Sequence, residues 1–435
     1  MRIVQALGWY FPTNAGGTEV YVSALSDALR ASGHEVLIAA PDAHAREERT
    51  YDYDGVPVYR YPIPDSATRD EAQGRVVVRG AEHFHAWLRR TRPDVVHMHT
   101  YVTGLGLLEL RAAKACGARV IVTTHAASLG FTCLRGTMMQ WGTSVCSGTV
   151  SASKCVPCYL QHRGLPRPLG YMAAMIPSPA SSLARHIPGR CGTWLGMTDL
   201  LAFNREAQRD LLQLADRFVV LTQWARDVLI ANGAPHEKVA INRLGVRNAG
   251  MNGHRASNRP LTVAYIGRFD PIKGVDDFAQ AIANTPRSTP IHFKFHGPVR
   301  NRGEMEVLEQ LKKTVGSDAW VTFGGELDAD GVRRTLQEID VLCCPSRVIE
   351  GGPTVALEAM SAGVPVVGTK VPGICEVVND GITGRLVPPG DTRALAAVFA
   401  ELAANPELID RWRSALPRVR TMQDVTRDYL EMYAA

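Results

Sequence analysis

Residues 345–360, PSRVIEGGPTVALEAM, decide how this chain is read. The run before them, Ile339 to Cys344 and broken by Asp340, has the length and apolarity of a buried strand. A polar turn follows, then Gly351 and Gly352, then Pro353 and Thr354, which suit the first turn of a helix. The unpaired N–H groups of a helix start, together with its dipole, favour an anion. Gly351 and Gly352 present no side chain, so a ligand can come close to the backbone. Glu350 precedes the turn and Glu358 lies one helical turn in, on the face of Thr354. Two carboxylates bracketing an anion site suit a molecule with hydroxyls at both ends and phosphates between, as a nucleotide-sugar has.

Outward from this stretch, the chain alternates strands and helices. Residues 2–8 read as a strand, NAGGTE (14–19) as a glycine turn into a helix over 20–31, and EVLIAAP as the next strand. YDYDGVPVYRYP (51–62) alternates with period two around Asp54-Gly55, a hairpin. A basic helix over about 75–91, a strand over 94–99, a helix over 104–115 and a strand ending TTH at His125 continue the pattern. Residues 126–200 break it, and the alternation returns up to about 250. MNGHRASNRP (251–260) reads as a linker. A second series then starts with LTVAYIGRF. The expected class is α/β, with parallel sheets covered by helices in two Rossmann-like domains, 1–250 and 251–415. The amphipathic end, 416–435, is expected to cross back to the first domain.

Composition limits the functions available. The 435 residues suggest two or three domains, and the net charge of +5 is far below the basic density of a nucleic-acid binder. No apolar run approaches the ~20 residues that span a bilayer. The start MRIVQALGWYF has no signal-peptide pattern, so a cytoplasmic setting with reduced thiols is expected, with the inner membrane face as a further place.

Ligands of open parallel sheets bind outside the carboxyl ends of the strands. Gly16-Gly17, His125, Arg268 with Lys273, and Glu350 to Glu358 all stand at such ends. Two sheets facing each other would gather them on one cleft. Breaking a sugar–diphosphate bond builds negative charge on the leaving phosphate, which an Arg fork, a Lys point charge and N–H donors stabilise.

Together RFDPIKG, EGGPTVALEAMSAGVPVVGT, the NAGG loop, GHEV and TTH resemble the GT4 family of retaining glycosyltransferases, which have the GT-B fold. The resemblance covers most of the chain outside 126–200. It implies that Arg268 and Lys273 hold the donor diphosphate and Glu358 the ribose. It places Glu350 and His125 at the sugar, and Gly16, Gly17, Gly351, Gly352, Pro353 and Thr354 along the donor. It also implies metal-free transfer of a hexose-type sugar, with retention, to a hydroxyl acceptor in polysaccharide or glycolipid assembly. Leu244-Gly245, where an Asn-Gly pair is common, and Pro298 after FHG depart from the pattern. A non-catalytic scaffold of the same fold and a nucleotide-sugar epimerase are the alternatives.

Two acidic pairs mimic the D-x-D metal motif of another fold. Asp52/Asp54 belong to the hairpin turn, and Asp328/Asp330 to a helix cap before Gly331. Gly104-x-Gly106 lacks the third glycine of a dinucleotide fingerprint. Cys133, Cys146, Cys155 and Cys158 crowd into a glycine-rich stretch. A structural zinc site is the preferred reading, with two disulfides or free thiols as the others. Arg75, Arg79, Arg89, Arg90, Arg92 and the Met-rich run 169–187 suit an anionic or lipid-linked acceptor, and peripheral membrane contact is a separate expectation. A solvated face and a packed loop are the plainer reading.

Overall fold

A computed structural model describes residues 1–13, 16–125, 132–247, 260–316 and 320–435. Asn14 of the glycine turn, the start of the 126–200 insertion and all of the expected linker except Pro260 lie outside them. The chain divides into two units, one of residues 1–243 with 422–435, the other of 244–421. The division falls earlier than the 250/251 read from the sequence. Val246 already bridges to Thr421, and its N–H donates to Arg420 O at 2.9 Å, inside the second unit.

The first unit is built on eight strands. They are β1 (Arg2–Ala6), β2 (Glu35–Asp42), β3 (Arg49–Tyr53), β4 (Val56–Pro62), β5 (Val95–Met98), β6 (Arg119–Thr124) and two strands after the insertion. The insertion carries its own short hairpin, β7 (Met139–Gln140) with β8 (Ser144–Val145), before β9 (Arg217–Val220) and β10 (Val239–Ile241). The sheet order is β10-β9-β6-β5-β1-β2-β4-β3, parallel throughout except for the β3/β4 hairpin. β5 is buried along its whole length and β1 nearly so, the continuous apolar run that a sheet covered on both faces requires. Asp52 Oδ1 accepts from Gly55 N at 2.8 Å in the hairpin turn, as the sequence indicated.

Helices α1 (Gly17–Ala31), α2 (Arg69–Ala72), α3 (Ala81–Thr91) and α4 (Leu107–Ala115) connect these strands. The basic helix expected over 75–91 begins only at Ala81. Gly80 has φ +90°, and a Cβ there would stand 2.0 Å from Pro62 O, so the chain turns instead of coiling. Arg75 and Arg79 therefore leave the helix and pair with Asp199 and Glu71. The helix expected from Gly104 starts at Leu107, after a tight turn in which Val102 and Leu105 bond to each other.

The insertion folds into α5 (Ala152–His162), α6 (Arg167–Ala174), α7 (Ser178–Ala184) and α8 (Gly189–Leu195) against α9 (Met197–Leu214). Val156, Leu160, Leu165, Ala173, Met197 and Leu201 give it a small core of its own. α10 (Gln223–Ala231) precedes the last strand. The C-terminal helix, Met422–Ala434, packs in this unit: Tyr429 and Tyr433 are buried, and Tyr21 Oη donates to Tyr429 Oη at 3.2 Å.

The second unit has six parallel strands, β11 (Leu261–Ile266), β12 (Ile291–His296), β13 (Val321–Gly324), β14 (Val341–Cys344), β15 (Val366–Thr369) and β16 (Gly384–Val387). Their order is β13-β12-β11-β14-β15-β16. Helices α11 (Val275–Asn284), α12 (Arg302–Val315), α13 (Ala329–Glu338), α14 (Thr354–Ser361), α15 (Thr392–Ala404) and α16 (Glu407–Ser414) complete it. Phe278, Phe293, Phe295 and Phe399 are fully buried and meet edge-on or tilted with centroids 4.9–5.9 Å apart, the favoured aromatic geometry. Asp328 Oδ1 caps α13 at Gly331 N, 2.6 Å, which disposes of the second acidic pair as a metal motif.

Both sheets reverse their strand order once, next to their first strand. In the first unit the chain leaves β1 for β2 on one side and returns to β5 on the other. In the second, β11 is flanked by β12 and β14. A crevice at the carboxyl ends of the strands opens at such a switch point.

Candidate functional site

The switch point of the second unit brings Arg268, Lys273 and Glu350 together. β11 ends at Ile266, so Arg268 stands two residues beyond the sheet and is half exposed, with Nη2 3.8 Å from Asp270 Oδ2. Asp270 caps the next turn, its Oδ1 accepting from Ile272 N at 3.0 Å. That turn, Pro271–Lys273, closes on Gly274 at φ +69°. A Cβ on Gly274 would lie 1.8 Å from Pro345 O, so only glycine lets this loop lie against the one after β14. The two loops are then stitched. Arg347 N donates to Ile272 O at 3.0 Å, and its guanidinium grips Asp277 with both arms and Asp276 at 2.9 Å. Hydrogen bonding to Asp277 pushes the Arg347 pKa up, which secures its charge.

Across the stitched loops Lys273 Nζ lies 2.7 Å from Glu350 Oε1, and Ser346 Oγ donates to the same oxygen at 2.7 Å. Glu350 is fixed through its backbone too, its N–H donating to Pro372 O at 3.1 Å. A lysine held between a carboxylate and the open end of a sheet has its remaining N–H donors for a second anion. Behind it Gly352 takes φ +101°, which turns the chain into α14 with Pro353 at the N-cap. Gly351, Gly352, Pro353 and Thr354 are all partly exposed. Glu358 sits one turn into α14, and burial raises its carboxyl pKa to about 7. This is a carboxyl that the surrounding protein leaves poorly solvated, as an acceptor waiting for hydroxyl donors would be.

Arg347, Asp277, Asp270 and Ser346 were not singled out in the sequence. Asp270 could have been found as a cap residue before Pro271. Arg347 and Asp277 lie 70 residues apart and carry no local signal.

In the first unit Gly16 and His125 occupy the corresponding strand ends. Gly16 is the N-cap of α1, and its N–H donates to Glu19 Oε2 at 2.7 Å, so that amide is already used. Gly17 is different: a Cβ there would meet nothing within 4 Å among the described residues, so packing does not demand a glycine. His125 follows β6 and joins a buried chain. Its Nε2 lies 3.1 Å from His99 Nδ1, and His99 Nε2 lies 2.6 Å from Gln5 Oε1. Of the facing nitrogens, His125 Nε2 and His99 Nδ1, one carries the proton and the other accepts, so His125 Nδ1 stays outside this chain. Burial lowers the His125 pKa to about 4 and pushes His97 and His99 well below the ordinary histidine value. All three imidazoles are neutral at pH 7. His97 is held by Tyr433 Oη at 2.7 Å and Thr123 Oγ1 at 2.8 Å.

The first unit also holds an open cavity of about 750 Å³ at the carboxyl ends of β1, β2, β4 and β5. Trp9, Asp42, Arg49, Arg60, Tyr101 and Asn204 are among its walls. Arg60 is buried, and Asp42 lies 2.9 Å from Arg49 Nη2 and 3.9 Å from Arg60 Nε. Trp9 is half exposed. An aromatic face next to planar charged pairs is a surface that polyhydroxylated molecules fit, and the volume is that of a ligand site. None of these residues stood out in the sequence, because they come from five separated segments.

The zinc expectation at Cys133, Cys146, Cys155 and Cys158 is not supported. Among the described residues no group of three or more His, Cys, Asp or Glu side chains is arranged to hold a metal ion. Cys155 and Cys158 lie on α5, and Cys133 and Cys146 are near enough to help burial raise the Cys155 pKa. Cys158 Sγ instead accepts from Trp141 N at 3.3 Å. None of the nine cysteines is in a disulfide.

Comparison with known proteins bears on the family and the fold. Residues 16–245 match the family described as glycosyl transferase 4-like domain, and residues 247–418 match glycosyl transferases group 1. The amylovoran biosynthesis glycosyltransferase AmsK of Erwinia amylovora is 29% identical over 40% of this chain and 44% of its own. The putative colanic acid biosynthesis glycosyltransferase WcaL of Salmonella typhimurium is 27% identical over 55% and 59%. The chain thus spans about half the length of these curated relatives. The crystal structure of Anabaena HepE in complex with UDP-glucose superposes with a TM-score of 0.64 at 13% identity, over 99% of both chains. The fold is that of the GT-B glycosyltransferases, and the chain belongs to the glycosyl transferase 4-like family.

Proposed function

We propose that this protein is a retaining glycosyltransferase, moving a hexose-type sugar from a nucleoside-diphosphate donor to a hydroxyl acceptor. The observation that carries the reading is the Lys273–Glu350–Ser346 cluster beside Arg268, at the switch point of the second sheet and at the start of α14. Arg268 and Lys273 hold the diphosphate, and the backbone N–H groups of Gly352 and Thr354 add donors to it. Glu358 accepts the ribose hydroxyls. Glu350, oriented by Lys273 and Ser346, reads the sugar, and His125 keeps the sugar-contacting role that the family resemblance gives it. Gly17 leaves room for the phosphates. The cavity lined by Trp9, Asp42 and Arg60 takes the acceptor. The parallels with AmsK and WcaL favour assembly of a surface polysaccharide.

In the proposed step the bond between the anomeric carbon and the phosphate oxygen breaks as the acceptor oxygen bonds to the same face of that carbon. The acceptor proton passes to the departing phosphate, whose growing charge Arg268, Lys273 and the α14 amides stabilise. The step asks no positive charge of His125, whose pKa burial lowers to about 4.

Nucleoside diphosphate release from UDP-, GDP- and ADP-hexoses, with and without saccharide or lipid-linked acceptors, tests the reading. Acceptor-dependent release with the anomeric configuration kept, seen by proton NMR of the product, is expected. Release without any acceptor would point to an epimerase, and none under any condition to a non-catalytic scaffold. His125→Ala is expected to slow transfer about 10-fold or more through loss of one sugar contact, with nucleotide affinity unchanged. An equal fall in nucleotide affinity would contradict the role given to His125.

A further inference from the structure

The surface of the insertion is unlike the rest of the molecule. Of the large apolar side chains left exposed among the described residues, Leu169, Tyr171, Met172, Met175, Leu183 and Ile187 fall within nineteen consecutive positions. Met172, Met175 and Leu183 are 65%, 81% and 79% exposed. Packing explains which way α6 faces. Gly170 lies so close to α5 that a Cβ would stand 2.9 Å from Pro157 Cα, and Ala173 enters the small core. With those two inward, Leu169, Met172 and Met175 share the outward face at helical spacing.

Within the insertion the charge has one sign. No Asp or Glu occurs between Glu109 and Asp199. Of the acids on α2 and α9, Asp70 pairs with Arg185, Glu71 with Arg79, Asp199 with Arg75 and at 3.7 Å with Arg185 Nε, and Asp210 with Arg111, while Glu206 stays exposed. Arg163, Arg167 and Arg190 remain exposed, Arg167 with its guanidinium 4.5 Å from the Trp141 ring centre. A protein core does not need these apolar groups outside, and water does not favour them.

We infer that α6, α7 and the turn after them form a docking face for an anionic lipid bilayer. Exposed Met, Leu, Ile and Tyr enter the headgroup boundary while arginines meet the lipid phosphates. Charge complementarity selects this occupant, since a patch with no carboxylate of its own gains from a surface rich in negative charge. No helix among the described residues is long and apolar enough to cross a membrane, so the contact is peripheral. This inference does not depend on the donor site.

Vesicle co-sedimentation of the full chain tests it, using phosphatidylcholine alone and with about a third phosphatidylglycerol. The protein is expected to bind the anionic vesicles at least 10-fold more tightly, and to leave them as salt rises. The variant carrying Met172→Ser, Met175→Ser and Leu183→Ser is expected to lose binding at least 10-fold, with its melting temperature and nucleotide affinity unchanged. Arg163→Glu with Arg190→Glu is expected to lose the preference for anionic lipid. Failure to bind either vesicle, binding without regard to charge, or full binding by the variants would overturn the inference. So would micromolar self-association that the serine variant abolishes, because the face would then belong to a second copy.

Discussion

Lys273→Met lowers the rate of transfer by about 10²–10³-fold while donor affinity falls much less, if the ammonium acts on the charge that grows in the transition state. The residue sits where this demand is greatest, 2.7 Å from a carboxylate that already fixes its position. Its orientation therefore needs no reorganisation when the phosphate departs. Methionine keeps the length of the stem and removes only the charge, so the loss reports electrostatics rather than packing. Lys273→Arg is the informative companion: it keeps the charge but swaps a point donor for a planar fork, and partial activity is expected. Steady-state kinetics with the best donor would measure both. A variant that loses affinity and rate in equal proportion would show that Lys273 only binds, and unchanged kinetics would remove it from the site.

Glu358→Gln makes the protein more stable and the donor weaker at the same time. The carboxyl pKa is raised by burial to about 7, from an ordinary value of 4.5. Between those values the unfolded chain gives up the proton while the folded chain keeps it, so stability falls as pH rises through that window. The penalty is complete above about pH 7 and absent below 4.5. Glutamine carries no such penalty. Its melting temperature should match the wild type near pH 4.5 and exceed it at pH 8. Ribose hydroxyls donate to the ionised carboxylate, so donor affinity of the wild type should rise from pH 6 to pH 8. The variant should lose about 10–100-fold in affinity at pH 8, the worth of charged hydrogen bonds. A variant no more stable than the wild type at pH 8, or one that binds donor as well as the wild type, contradicts this use of Glu358.

Local chemistry was legible in the sequence where one short stretch contained the whole cause. The strand, double glycine and helix start at 339–358 are such a case, as are the Asp54-Gly55 hairpin and the cap at Asp328. The causes that escaped are long-range. The basic helix starts late because Gly80 presses on Pro62, eighteen residues earlier and in another element. The Arg347–Asp277 stitch and the Gln5–His99–His125 chain join residues that only the sheet order makes neighbours. The cavity around Trp9, Arg60 and Asn204 has the same origin. Cysteine spacing alone was not enough for a related reason: C-x2-C puts two thiols on one helix, but whether Cys133 and Cys146 join them depends on how the distant loop packs. Spacing limits what can meet; packing decides what does.

Every role given to Arg268, Lys273, Glu350 and Glu358 requires the second unit to bind a nucleoside-diphosphate sugar at the end of β11. Isothermal titration of the full chain with UDP-, GDP- and ADP-hexoses, repeated on Arg268→Ala, tests that claim most directly. One nucleotide should bind in the micromolar range, and Arg268→Ala should weaken it about 10-fold or more by loss of a charge-assisted fork. No binding with any of the three, or undiminished binding by Arg268→Ala, would contradict the claim.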